Sequence, residues 1–246
     1  MLRTLVIAAG MGLVPLVAPP TPAPLVLKAA DGVAIYADSY PSGSTSAPVI
    51  LLFHQANAGK SEYATIAPRL AQLGYNVLAI DQRSGGGLYQ PPNETVQHLG
   101  VSAPYMSVLP DMDAALAWAK HAYPHARVYA WGSSYSAALV FGFAVKHPRD
   151  IAAVLAFSPG EYLPDKTYVA KAARHVAVPV FIDSASDPQE EANARAIYAA
   201  VRSRVKEDYV PQNGVHGSST LRADVDPDGT DENWTAVIAF LEKLPR

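Results

Sequence analysis

The residues Gly132-Ser133-Ser134-Tyr135-Ser136 carry three serine hydroxyls between a strand-like run, 127–131, and a segment with helical spacing, 135–147. A sharp strand-to-helix turn tolerates only small residues two places before and two places after its apex, because side chains there collide with neighbouring backbone. Gly132 and Ser136 meet that need around Ser134. Such a turn lifts its apical hydroxyl over the sheet edge and exposes it to the positive end of the following helix. The chemistry it suits is attack on a carbonyl carbon, provided that an imidazole removes the hydroxyl proton. Ser133 has Trp131 two places before it, and Ser136 lies a half turn inside the helix, so Ser134 is the favoured nucleophile.

These residues need elements to position them. Residues 25–28 and 33–36, joined at Asp31-Gly32, read as an antiparallel hairpin at a sheet edge. From Pro48 the pattern changes to continuous apolar runs, 49–53 and 76–80, as expected of strands buried on both faces. Further strands are expected at 127–131, 151–157, 178–182 and 207–210. Helices are expected at 61–73, 111–123, 135–147, 188–202 and 232–244. Repeated strand–helix units imply one α/β domain, a mostly parallel sheet of about eight strands with helices on both faces, because right-handed crossovers place them there. Residues 83–108 form the longest stretch without a helical pattern, a length that often marks a lid or a site wall. Gly85-Gly86-Gly87 lies within it, but no Lys-Ser or Lys-Thr follows, which disfavours a phosphate cradle.

Composition narrows the chemistry. The chain has 246 residues, half of them apolar and 17% charged, which excludes a disordered, solvating polymer. Its net charge is −3 with no basic stripe, so a nucleic-acid partner is not expected. Cysteine is absent, which excludes thiol nucleophiles, disulfides and thiolate metal sites.

The turn around Ser134 resembles the nucleophile elbow of the α/β-hydrolase superfamily, usually Gly-x-Ser-x-Gly, with Ser136 replacing the last glycine. The compact size, with a minimal cap or none, is most similar to its dienelactone-hydrolase-like and esterase branch. The resemblance covers 25–244 and implies an acid and then a histidine later in the chain. Asp187, after the strand 178–182, fits the acid, although an Asp before Pro188 equally suits a helix N-cap. Asp183 competes from the strand end. His216, in Asn213-Gly214-Val215-His216-Gly217, alone of seven histidines has both the order and the Gly-flanked loop.

The resemblance also implies an oxyanion hole. One donor is expected to be the backbone N–H of Tyr135, and the other the N–H of Gln55, with His54 holding its loop. The expected function is therefore a serine hydrolase acting on a carboxylic ester or related acyl bond through Ser134, His216 and Asp187, by way of an acyl-enzyme. No cofactor or metal is called for, and the partner is a small acyl substrate. Leu88, Tyr89, Tyr105 and Met106 are available to line an apolar acyl pocket or to serve as core. Arg83 is available for a substrate carboxylate or for pairing with Asp81. A peptidase of the same superfamily and a catalytically silent binding protein on this scaffold are the alternatives.

Met1-Leu2-Arg3, the apolar stretch 5–17 and the small, Pro-rich stretch 18–24 follow the order of a secretory signal peptide. The apolar part is short for a membrane span. Export to a periplasm or to the medium is expected, with residues 25–246 as the mature domain and no stable membrane insertion.

Overall fold

The computed structural model describes residues 20–245; the N-terminal stretch read as a signal lies largely outside them. The chain opens with an antiparallel hairpin, β1 (Ala23–Lys28) and β2 (Ala34–Tyr40). β1 starts inside the Pro-rich stretch, at Ala23. Then come β3 (Val49–Phe53), α1 (Ile66–Gln72), β4 (Asn76–Ile80), α2 (Glu94–Leu99) and α3 (Leu109–Ala122). A sharp turn at Ser134 joins β5 (Val128–Ser133) to α4 (Tyr135–Lys146). The remainder is β6 (Ile151–Phe157), α5 (Tyr168–Ala173), β7 (Val180–Asp183), α6 (Pro188–Ala200), β8 (Lys206–Tyr209) and α7 (Thr230–Lys243).

The eight strands form one sheet in the order β1-β2-β4-β3-β5-β6-β7-β8. The hairpin is antiparallel to its neighbour β4, and all later pairings are parallel. Because side chains alternate along a strand, each central strand feeds two cores. Val49, Leu51 and Phe53 pack with Met112 of α3, Phe143 of α4 and Ile197 of α6. Ile50 and Leu52 pack on the opposite face with Ile66 and Leu70 of α1 and Trp234 and Phe240 of α7. Each fully buried side chain of this size contributes about 1.5–3 kcal/mol, so the two cores make the sheet a rigid platform for the loops at its carboxyl edge.

Two segments depart from their sequence pattern. The helix expected over 61–73 is divided into a 3₁₀ turn, Lys60–Tyr63, and α1. Tertiary contacts impose the break: Lys60 N–H donates to Asp81 Oδ1 at 2.6 Å, and Arg222 donates to the carbonyls of Ser61 and Glu62 at 2.8 and 2.9 Å. Pro68 then falls in the first turn of α1, where its missing N–H costs no helical bond. The long segment 83–108 contains α2 and a 3₁₀ turn, Tyr105–Val108. α2 is short but capped at both ends, by Asn93, whose Oδ1 accepts from Val96 N–H at 2.8 Å, and by Gly100 at φ +72°.

Arg83 anchors the start of that segment and is not free for a substrate. Its Nε donates to Asp111 Oδ1 at 2.8 Å, its backbone N–H to Asp111 Oδ2 at 2.9 Å, and its Nη1 lies 2.5 Å from Asp31. Asp81, the partner considered for it, pairs with Lys60 instead at 3.3 Å. Asp111 is fully buried whereas Asp31 is partly exposed, so the two pairs differ in weight. Asp111→Ala leaves a buried guanidinium without its main partner and is expected to cost about 3–5 kcal/mol in urea unfolding. Asp31→Ala is expected to cost about 1 kcal/mol or less. Equal losses from the two variants would contradict this account.

Candidate active site

Ser134 stands between β5 and α4 at φ +57° and ψ −117°, a conformation that non-glycine residues occupy at a cost of about 1–3 kcal/mol. The surroundings hold it there. Ser134 N–H donates to Phe157 O at 2.8 Å. A Cβ at Gly132 would lie 2.5 Å from the carbonyl carbon of Ser136 and 2.6 Å from Ala137 N, so only glycine fits. Ser136 is accommodated because its hydroxyl lies 2.7 Å from the His54 carbonyl oxygen, to which it donates. Tyr135 is the first residue of α4, so its N–H has no helical acceptor.

Ser134 Oγ lies 2.7 Å from His216 Nε2, and His216 Nδ1 lies 2.7 Å from Glu190 Oε1. The structure therefore brings two of the expected residues together and replaces the third. Asp187 is the N-cap of α6, its Oδ1 accepting from Gln189 N–H at 2.9 Å and Glu190 N–H at 3.1 Å. Its carboxylate is committed to the helix end, and Glu190, one turn on, carries a longer side chain that reaches the imidazole. The sequence signal was the spacing Asp187-x-x-Glu190, an N-cap followed by an acid at the third helical position. In this case that acid does not close back on the cap.

Burial pushes the Glu190 carboxyl up, but hydrogen bonds from His216 and Ser158 outweigh it and hold the group below its ordinary value. The same bond to Glu190 raises the His216 imidazole above 6.5, against the opposing effect of burial. The histidine loop is fixed just after the ring. Gly217, at φ +74°, donates its N–H to Ser158 Oγ at 2.9 Å, and a Cβ there would collide with Ser133 Oγ.

Across the site, the loop after β3 also departs from expectation. Gln55 N–H is not free for an oxyanion: it donates to Glu62 Oε2 at 2.8 Å. The next amide, Ala56 N–H, has no hydrogen-bond partner among the described residues. His54 is fully buried, with Nδ1 2.8 Å from Gln55 O and Nε2 accepting from Gln82 N–H at 3.0 Å, and burial lowers its pKa. It is a neutral strut for this loop.

A cavity of about 460 Å³ lies between the 3₁₀ turn at 105–108 and the segment before α5, walled by Ser84, Tyr105, Met106, Tyr162, Leu163 and Pro164. It adjoins the site through two rings. Tyr135 stacks on Tyr105 at 4.3 Å and donates to Ser84 O, and Tyr162 meets the His216 ring edge-on at 6.5 Å. Of the other aromatic and apolar candidates for this wall, Tyr89 turns away to Ser219 and Leu88 is exposed. Among the described residues no group of three or more His, Asp or Glu side chains could hold a metal ion.

The strand order, the elbow after β5 and the histidine loop after β8 define an α/β-hydrolase fold. The chain belongs to the serine aminopeptidase S33 family of α/β hydrolases, whose family model matches residues 44–222. No curated protein matches it in sequence. Its fold is similar to the Pyrococcus furiosus esterase Pf2001, at 18% identity and TM-score 0.69 over 92% of this chain and 91% of that one. It is also similar to dienelactone hydrolase from Anabaena variabilis, at 16% identity and TM-score 0.71 over 93% and 100%. A third similar structure is Est1E from Butyrivibrio proteoclasticus with ferulic acid bound, at 15% identity and TM-score 0.70 over 89% and 98%.

The separate duties of Asp187 and Glu190 can be measured without an activity assay. Asp187→Ala is expected to lower stability by about 1 kcal/mol in urea unfolding, the ordinary cost of a lost N-cap. An unchanged midpoint would show that the cap contributes nothing.

Proposed function

We propose that the chain is a serine hydrolase that cleaves a carboxylic ester through an acyl-enzyme on Ser134. The observation that carries this reading is the unbroken relay of two 2.7 Å contacts from Ser134 Oγ through His216 to Glu190. His216 Nε2 takes the hydroxyl proton as Oγ bonds to the carbonyl carbon, and Glu190 stabilises the imidazolium that forms. The N–H groups of Tyr135 and Ala56 hold the tetrahedral oxygen. Collapse expels the alcohol with the proton from His216. Water, deprotonated by the same ring, then releases the carboxylic acid and restores Ser134.

An aminopeptidase would have to hold the ammonium group at the end of a peptide. The cavity beside the site has no carboxylate in its wall, and its charged member is Lys166. That favours a neutral or anionic acyl group, and its aromatic wall favours an apolar one. Export is proposed on the order of charge, apolar stretch and small residues at the N-terminus, and N-terminal sequencing of the protein recovered from its native host checks it.

A fluorophosphonate probe and a panel of p-nitrophenyl esters test the reading. The wild type is expected to be labelled at Ser134 and to turn over esters, and Ser134→Ala is expected to lose both while staying folded. Persistence of most turnover in Ser134→Ala would overturn the assignment. Glu190→Gln is expected to lower kcat roughly 10²- to 10⁴-fold, up to the cost of the wrong imidazole tautomer, whereas Asp187→Ala keeps most activity. Because neutral His216 is the base and Glu190 raises its pKa, kcat/KM is expected to fall with decreasing pH through a midpoint above 6.5. A midpoint well below that value would contradict the Glu190 contact.

A further inference from the structure

We propose that Glu62 is a positioning residue whose buried carboxylate locks the oxyanion loop, the nucleophile turn and the histidine loop together and sets a second negative charge within electrostatic reach of His216. This rests on the serine-hydrolase reading above and concerns a side chain that touches none of the reacting atoms. Glu62 is fully buried on the 3₁₀ turn before α1. Three donors converge on it: Gln55 N–H at 2.8 Å, Gln55 Nε2 at 3.1 Å and Ser133 Oγ at 2.7 Å. Gln55 directly precedes the proposed oxyanion donor Ala56, and Ser133 directly precedes the proposed nucleophile.

The third loop is reached through both of these partners. Ser133 Oγ, having given its proton to Glu62, accepts from Ser218 N–H at 2.8 Å, and it fills the space that a Cβ at Gly217 would need. Gln55 Nε2 also donates to Ser219 Oγ at 2.8 Å. Two carboxylate oxygens thus fix Gln55 and Ser133 directly and, through them, Ser218 and Ser219 of the loop that follows His216. Arg222 completes the frame by donating to the backbone carbonyls of Ser61 and Glu62. All three groups facing the carboxylate offer protons to it, so the ionised form is the one this frame fits.

Burial opposes that ionisation and pushes the Glu62 carboxyl up to about 7, with the hydrogen bonds from Gln55 and Ser133 and the Arg222 charge resisting. The other titratable groups in electrostatic contact with it are His216, Tyr63 and Tyr89. The negative charge of Glu62 adds to the hydrogen bond and charge of Glu190 in raising the His216 pKa.

Glu62→Gln, near in shape but neutral, tests the proposal on the full chain. The expected result is a kcat reduced roughly 10- to 100-fold with KM little changed, the cost of misplaced reacting groups rather than lost substrate contacts. The acid limb of kcat/KM is also expected to move to lower pH, because the imidazole loses an anion that favoured its proton. A wild-type kcat, or a reduced kcat with an unmoved acid limb, would overturn the proposal. If Glu62→Gln does not fold, Ser133→Ala deletes a single buried oxygen from the same frame, and a wild-type kcat in that variant would overturn the proposal on its own. Fluorophosphonate labelling of the wild type separates the two levels of the argument. An unlabelled, inactive wild type refutes the hydrolase reading, whereas a labelled wild type matched by Glu62→Gln refutes only the role of Glu62.

Discussion

The site depends on holding one imidazole between two partners carried by different strand–helix units. Ser134 comes from the end of β5 and Glu190 from the first turn of α6, and His216 must approach both at 2.7 Å. A hydrogen bond of that length tolerates little lateral error, so the loop that carries His216 has to be as fixed as the strands. Its anchors follow the ring directly: Gly217 N–H on Ser158, Ser218 N–H on Ser133, and Trp131 Nε1 donating to Ser218 Oγ at 2.8 Å. Trp234 of α7 then donates to Leu221 O at the end of the 3₁₀ turn Gly217–Leu221 that follows the histidine. The histidine loop is thus tied to β5, to the turn after β6 and to the closing helix.

The same logic explains why the strained backbone at Ser134 persists. A left-handed, extended serine would relax if its neighbours allowed it. β5 is flanked on both sides by parallel strands, α4 is buried among the side chains of the first core, and the Ser134 amide is held by Phe157. Relaxing the turn would require moving α4, a helix most of whose residues are buried. The position of the Ser134 hydroxyl against His216 is the product of packing around the turn.

The sequence carried the architecture well because the central strands are uniform apolar runs and the turns between them contain glycine or proline. The edge hairpin, the parallel strands and the helices α3, α4, α6 and α7 all fall near where periodicity put them. Ser134 and His216 were legible because their local sequence is constrained by backbone geometry: Gly132 avoids a collision and Gly217 takes a positive φ. The acid was not legible to the same degree, since Asp187 and Glu190 lie three residues apart on one helix end and only side-chain reach distinguishes them. Gln55 failed as the oxyanion donor for a related reason. Its amide is satisfied by Glu62, seven residues on, within a segment whose pattern predicted a continuous helix rather than a 3₁₀ turn pinned by Arg222. Individual side-chain hydrogen bonds decide both cases, and periodicity is blind to them.

Three acidic groups near the site show how far such contacts reach, because one functional group type takes three electrostatic forms. Glu190 is half-buried, yet it is held ionised by donors from His216 and Ser158, at the helix end where positive potential favours an anion. Glu62 is fully buried with three donors and is poised near neutrality. Asp183, the strand-end competitor, is fully buried with Oδ2 unpartnered among the described residues. Burial, followed by the charges of Asp226, Glu232, Asp208 and Glu190, drives its pKa well above the ordinary value. Burial and the neighbouring carboxylates oppose a charge on Asp183, and His216 Nδ1 pairs with Glu190 instead. What selects Glu190 is therefore the supply of hydrogen-bond donors: one carboxyl has enough to stay charged without a net penalty, the next nearly enough, and the last too few.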